Sequence, residues 1–215
     1  MSATPSYKDL FSGHASEYAR YRPTYPAALF EWLSAQASAR GTAWDCGTGN
    51  GQAAVALAAY FESVVATDPS EKQIASSTIH PRVCYSVAAA EDSGLASGSV
   101  DLITVAQAFH WFRHDAFFTE ARRVGCSGAV LAFWCYELAL ITPEIDEAVF
   151  SFYQGELGPY WELPRKLVET GYRTIPLPAF AEKLRRIWGQ GEAPRTVRWP
   201  LGLRAAFIMN THNKG

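Results

Sequence analysis

The centre of the chain alternates short apolar, β-branched runs with stretches of helical spacing, the pattern of parallel β-α-β units. Strands are predicted over Thr42–Cys46, Ser63–Asp68, Arg82–Val87, Val100–Gln107 and Gly128–Tyr136. Between them, Gln52–Phe61 and His114–Val124 carry helical patterns. A further helix opens at Pro69-Ser70, where the Ser70 hydroxyl can cap free N–H groups. The fourth and fifth runs are apolar almost throughout, as in parallel strands covered by helices on both faces. The expected fold is a doubly wound α/β domain with a mostly parallel, Rossmann-like sheet and helices on both faces.

The two ends break this rhythm. The start is aromatic and punctuated by proline (Tyr18, Tyr21, Arg22-Pro23, Tyr25-Pro26) and leads into a helix over Pro26–Ala37, whose proline suits a first helical position. Beyond Tyr136, helical patterns recur at Glu144–Leu157, Glu162–Glu169 and Ala179–Trp188. The alternating run Val197–Arg204 reads as a strand, and because Pro200 removes a ladder donor it is expected to be an edge strand or to carry a bulge; an antiparallel C-terminal edge strand is expected. One domain over 1–215 is expected: a lid and helix (1–40), a ligand-binding core (41–136), and a helical region with a closing strand (137–215).

Composition narrows the classes. The chain has 215 residues, 48% of them hydrophobic and 19% charged, with net charge −2, enough apolar material for a sizeable core. Neither nucleic acid nor an anionic membrane surface is an expected partner. The longest apolar run, Ala129–Tyr136, is far short of the ~20 residues that span a bilayer. The first residues lack the basic start and apolar stretch of a secretory leader. Cys46, Cys84, Cys126 and Cys135 form no CxxC pair and read as reduced, half-buried thiols, so a cytoplasmic protein without a metal site is expected. Charge is uneven: residues 1–160 sum to −8 and residues 161–215 to +6. The simpler reading is a basic end balancing an acidic body; the sharper one is a basic wall facing an acidic substrate.

The chemistry gathers at predicted strand ends. The first strand runs into Asp45-Cys46-Gly47-Thr48-Gly49-Asn50-Gly51 just before a helix, so glycines turn the chain beside free helix N–H groups. The second strand ends in Asp68, where a carboxylate can accept hydrogen bonds from a ribose diol. A dinucleotide fingerprint would place a third glycine where Gln52 stands, and no Gly-Lys-Ser/Thr phosphate loop occurs. An adenosine ligand without a pyrophosphate fits these residues best.

With these residues the sequence resembles the class I S-adenosylmethionine-dependent methyltransferases, which show Asp-x-Gly-x-Gly at the first strand and an acidic residue at the end of the second. Ala89-Ala90-Glu91-Asp92 is similar to that family's adenine-side loop. Asp101–Trp111 is similar to its fourth-strand motif, with Ala106, Gln107, His110 and Trp111 at the mouth. Tyr18–Pro26 resembles the N-terminal lid of the type 11 group related to trans-aconitate methyltransferase. The likeness covers most of residues 7–136, and Val197–Arg204 resembles the closing strand. One departure is visible around Tyr172–Trp188, where the chain is short of a strand and helix that relatives carry. The sixth strand is therefore expected to be absent or reduced.

The resemblance implies S-adenosylmethionine as cofactor, held by Tyr18, Arg22, Asp45, Gly47, Gly49, Asp68, Ala90, Glu91, Ala106 and Gln107. It also implies methyl transfer to a small molecule, with a small carboxylic acid as the resemblance-led acceptor. His110 is the candidate catalytic base, or a donor that positions the acceptor; an ionised carboxylate acceptor needs no base. Trp111, Trp134 and Tyr136 are candidates for the acceptor pocket, with aromatic faces suited to a sulfonium. Each has a plainer alternative: a capped turn for Asp45, a solvent-facing acid for Glu91, core packing for the aromatics. Two other functions stay open at this level, an NAD-linked oxidoreductase on the same fold and a cofactor-binding protein without turnover.

Overall fold

The structure, a computed structural model, describes residues 24–136, 138, 141–172, 174–176, 178, 185–186 and 203–211. In chain order the elements are α1 (Ala27–Gln36), β1 (Thr42–Cys46), α2 (Gln52–Leu57), β2 (Ser63–Asp68), α3 (Glu71–Ala75), β3 (Val83–Val87), β4 (Val100–Ala106), α4 (His114–Val124), β5 (Gly125–Tyr136), α5 (Pro143–Ser151), α6 (Arg165–Glu169), β6 (Arg185–Arg186) and β7 (Leu203–Thr211). The strands form one sheet in the order β3-β2-β1-β4-β5-β7-β6. The first five are parallel, and β7 runs antiparallel to both β5 and β6. The order reverses between β1 and β4, and ligands in such sheets bind at that switch, beyond the strands' carboxyl ends.

Side-chain alternation along the central strands builds two cores. Trp44, Ile103, Val105, Leu131 and Phe133 join Phe109, Phe117 and Phe118 on the α4 face. Ala43, Leu102, Val130, Ala132 and Trp134 join Leu29, Phe30, Leu33, Ala54 and Leu57 under α1 and α2. This two-sided burial is why β4 and β5 lack the polar alternation of a half-exposed strand. Helix α3 starts at the predicted cap, with the Ser70 hydroxyl accepting the Gln73 N–H at 3.3 Å.

Several expectations need correction. The closing strand is not at the edge: β7 lies between β5 and β6, and of the run predicted over Val197–Arg204 only Leu203 and Arg204 are described, residues 197–202 with Pro200 lying outside the described residues. Of the helix expected over Ala179–Trp188, only Arg185 and Arg186 are described, and they are strand. Arg185 and Arg186 form a sixth strand, β6, beside β7, and the residues on either side of it lie outside the described residues. The pattern over Glu144–Leu157 splits into α5 and a wider turn at Phe152–Glu156. Cys84 is exposed rather than half-buried, while Cys46 and Cys135 are buried, and none of the four cysteines is in a disulfide among the described residues. Among the described residues no helix is long and apolar enough to cross a membrane, and no His/Cys/Asp/Glu cluster is arranged to hold a metal.

Candidate functional site

The tip of β1 runs straight into the glycine turn. Gly47, Gly49 and Gly51 have φ of 68°, 57° and 87°, the left-handed region where a side chain is strained. Two of the three are required by packing of the chain on itself. A Cβ at Gly47 would sit 2.7 Å from the Ala108 Cβ, and one at Gly51 would run into the Tyr85 ring. Gly49 is the glycine that meets the second strand: its N–H donates to Asp68 Oδ2 at 2.9 Å, while Asp68 Oδ1 accepts the Ser70 N–H at 2.9 Å. Asp68 therefore ties the glycine turn to the start of α3, with its carboxylate buried at the β1–β2 edge of the switch.

Asp45 lies one strand away and is almost wholly enclosed. Thr48 Oγ1 donates to its Oδ2 at 2.6 Å and Thr104 Oγ1 to its Oδ1 at 2.8 Å. Thr104 is the cross-strand partner of Asp45 on β4. Burial raises this carboxyl to a pKa of about 6, against the opposing pull of the two hydroxyls. The neighbouring Cys46 thiol is pushed well above its ordinary value, chiefly by burial and then by Asp45, so it stays protonated and inert.

The β4 tip is shaped by Gln107, a non-glycine residue at φ 56°. Its Nε2 donates to the Tyr136 carbonyl at 3.3 Å and its Oε1 accepts the Tyr136 N–H at 2.7 Å, so the side chain extends the β4–β5 pairing beyond Ala106. The next turn, Phe109–Trp111, buries His110, whose Nδ1 lies 2.9 Å from the Tyr172 hydroxyl. Burial holds that phenol well above its ordinary pKa, so it remains a neutral partner for the imidazole. Trp111 stands beside His110, ring centres 4.9 Å apart, and is 41% exposed.

Other sequence-derived assignments meet a different geometry. Tyr18 and Arg22 lie outside the described residues. Glu91 is engaged within the protein through one carboxylate oxygen: Oε1 accepts the Arg113 N–H at 2.7 Å and lies 3.7 Å from Arg113 Nε, at the start of α4. The Ala90 side chain belongs to the α4-side core. Trp134 does not line an acceptor pocket; it is fully buried on the α1–α2 face, edge-on to Tyr25 (5.5 Å) and Phe30 (6.3 Å). Tyr136 meets the site through its backbone clamp to Gln107.

Sequence reasoning passed over Thr104 and Tyr172, whose partners are about sixty residues away in sequence, Thr48, three residues from Asp45 within the glycine turn, and Gln52. Gln52 opens α2 directly after the glycine turn, and its Oε1 is buried with no hydrogen-bond partner among the described residues. Its signal was its place after Gly51, read only as a missing glycine.

An adenosine-sulfonium cofactor fits these groups. Asp45 and Gln52 offer acceptors beside the turn, suited to a cationic amino-acid end, and Asp68 offers a carboxylate for a diol. The left-handed turn at Gly49 lets the backbone come close to a ligand.

Comparison with known proteins agrees with the architecture. A family model described as "Methyltransferase domain" matches residues 44–133. A Dictyostelium discoideum protein named a methyltransferase is 37% identical over 188 residues, covering 85% of this chain and 71% of its own. The Saccharomyces cerevisiae protein CRG1, named an S-adenosylmethionine-dependent methyltransferase, is 29% identical, covering 90% and 69%. A structure from Anaeromyxobacter dehalogenans, titled a type II methyltransferase, superposes with TM-score 0.69 at 48% identity, over 79% of this chain and 70% of that one. With the glycine turn, Asp68 and the 3-2-1-4-5-7-6 sheet already in place, the chain belongs to the S-adenosylmethionine-dependent methyltransferases.

Proposed function

We propose that this chain binds S-adenosylmethionine at the β1–β2–β4 tips and transfers its methyl group to a small-molecule acceptor bearing a carboxylate. The observation that carries the reading is the closure of Asp68 onto the Gly49 and Ser70 N–H groups. It fixes a buried carboxylate where an adenosine diol can donate to it. Asp45 and Gln52 are the groups placed to hold a cationic amino-acid end, and Gly49 the backbone placed for close approach.

The cofactor supplies a methyl group already activated by its sulfonium leaving group. The protein's remaining task is alignment and exclusion of water, which is worth ~7–11 kcal/mol of barrier when the reacting atoms are held in line. Gln107 serves that task by fixing the β4 tip to β5, and Tyr172 by fixing the His110 ring. An acceptor carboxylate is already ionised at neutral pH, so His110 acts as a hydrogen-bonding positioning group rather than a base. The excess of cations in residues 161–215 supports an acidic acceptor.

Calorimetric titration tests the cofactor site. Asp68→Ala is expected to weaken S-adenosylmethionine binding by about 1.5–3 kcal/mol, roughly ten- to a hundredfold, with the fold retained. Unchanged affinity removes Asp68 from the site. For the acceptor, a panel of small carboxylic acids is assayed beside alcohols and amines. Transfer confined to amines would overturn the carboxylate reading while leaving the cofactor site intact.

A further inference from the structure

Beyond the end of β5, the helical cover borders a half-open cleft of about 480 Å³, within the size range of small-ligand sites. Leu138, Phe150, Tyr153 and Trp161 provide apolar wall, and Arg165 and Lys166 bring positive charge from the start of α6. None of its lining residues belongs to the glycine turn or the β4 tip.

Arg165 is held as a fork. Its Nε donates to the Tyr153 hydroxyl at 2.7 Å, and that hydroxyl donates onward to Glu169 Oε1 at 3.1 Å. The guanidinium carbon lies 5.4 Å from the Tyr153 ring centre and 5.2 Å from that of Trp161. The two rings are 5.0 Å apart, and the indole N–H is anchored to the Tyr153 carbonyl at 3.2 Å. One edge of the guanidinium is thus spent on fixing its orientation. Its Nη1 and Nη2 donate to nothing among the described residues. Lys166 beside it makes no ion pair among the described residues. Glu162 and Glu169 also line the cavity, and Glu169 is already engaged by Tyr153.

A planar cation with its stem fixed, two donors unspent and an aromatic wall beside it has the geometry for a carboxylate attached to an apolar body. We propose that this cavity is a binding site for an apolar carboxylate, clamped by the Arg165 Nη groups with Lys166 in support and packed against Tyr153 and Trp161. The proposal concerns binding alone and stands apart from the methyl-transfer reading.

Calorimetry of the full chain with octanoate and 4-phenylbutyrate, with no cofactor added, tests it. Both acids are expected to bind, and their amides about tenfold or more weaker, because an amide has no charge and offers the fork one acceptor oxygen where a carboxylate offers two. Arg165→Lys keeps the charge and loses the fork, and should cost octanoate about tenfold. Lys166→Gln, which breaks no ion pair among the described residues, should cost a smaller factor and keeps the test open should the Arg165 variant melt early. Equal binding of acid and amide, no effect of either variant, or inorganic phosphate competing as strongly as octanoate would each overturn the proposal. Cofactor titration on the same samples separates this failure from failure of the strand-tip site.

Discussion

At the scale of a single residue, Asp45 is the group whose chemistry departs furthest from its ordinary behaviour. Its folded pKa of about 6 stands above the ordinary 3.8 because burial disfavours the charge more than Thr48 and Thr104 relieve it. The folded protein therefore keeps a proton that the unfolded chain releases between about pH 4 and pH 6. Stability from this group is fully present below the lower value and is lost as pH rises through the upper one. The loss is about 3 kcal/mol. Urea titrations of the wild type between pH 4 and 7 should show this decline superimposed on the rest of the protein's titration. Asp45→Asn should remove it, since a neutral amide has no proton to release while the threonine hydroxyls can turn to pair with it. Parallel pH profiles for the two proteins would refute the assignment. Glu120 has the opposite sign: Arg123 first, then Ser93, hold its carboxyl down at about 2. Its contribution is present above the ordinary glutamate value and is lost only in strong acid.

At the scale of elements, the β4–β5 tip carries a strain that its own side chain offsets. Gln107 occupies left-handed backbone space, which costs a non-glycine residue roughly 1–2 kcal/mol. Its two hydrogen bonds to the Tyr136 backbone return about 0.5–1.5 kcal/mol each. Gln107→Ala keeps the strain and loses both bonds, so it should destabilise by about 1–3 kcal/mol. Gln107→Gly relieves the strain and should be milder. Thermal melts that rank alanine above glycine would show that the backbone conformation is not held as described. The same tip shows what a lone sequence can and cannot disclose. β1, β2 and α4 were legible to the residue because glycine, the Asp-Pro-Ser break and the onset of helical spacing punctuate them locally. The Asp45 and Asp68 positions followed directly from those ends. The burial of Trp134 and the Glu91–Arg113 contact were not legible, because both depend on partners distant in sequence. Trp134 lies on a strand buried on both faces, so alternation says nothing of which face meets a ligand. Glu91 finds Arg113 twenty-two residues later. The interior place of β7 was likewise hidden, since its neighbour β6 comes from a segment whose sequence pattern reads as helical.

At the scale of the whole molecule, the sheet order brings two carboxylates of different character to one switch point. Asp68 is fixed by backbone donors, and Asp45 is enclosed and half-protonated near pH 6. A sulfonium cofactor carries positive charge at sulfur and at its amino group. Bound beside Asp45, it favours the ionised carboxylate and lowers that pKa, so binding expels a proton wherever Asp45 was protonated beforehand. At pH 6 the release should approach roughly half a proton per site, falling toward zero by pH 8. By the same linkage, affinity should rise as pH increases from 5 to 7.5. Calorimetry in two buffers of different ionisation enthalpy reads the proton count directly. S-adenosylhomocysteine, which lacks the sulfonium charge, should release fewer protons at the same pH. Asp45→Asn should release none through this route while retaining the diol contact at Asp68. Proton release that is identical for the two nucleosides and untouched by Asp45→Asn would mean the cofactor's charge lies elsewhere. The raised pKa of Asp45 would then be a property of the fold alone.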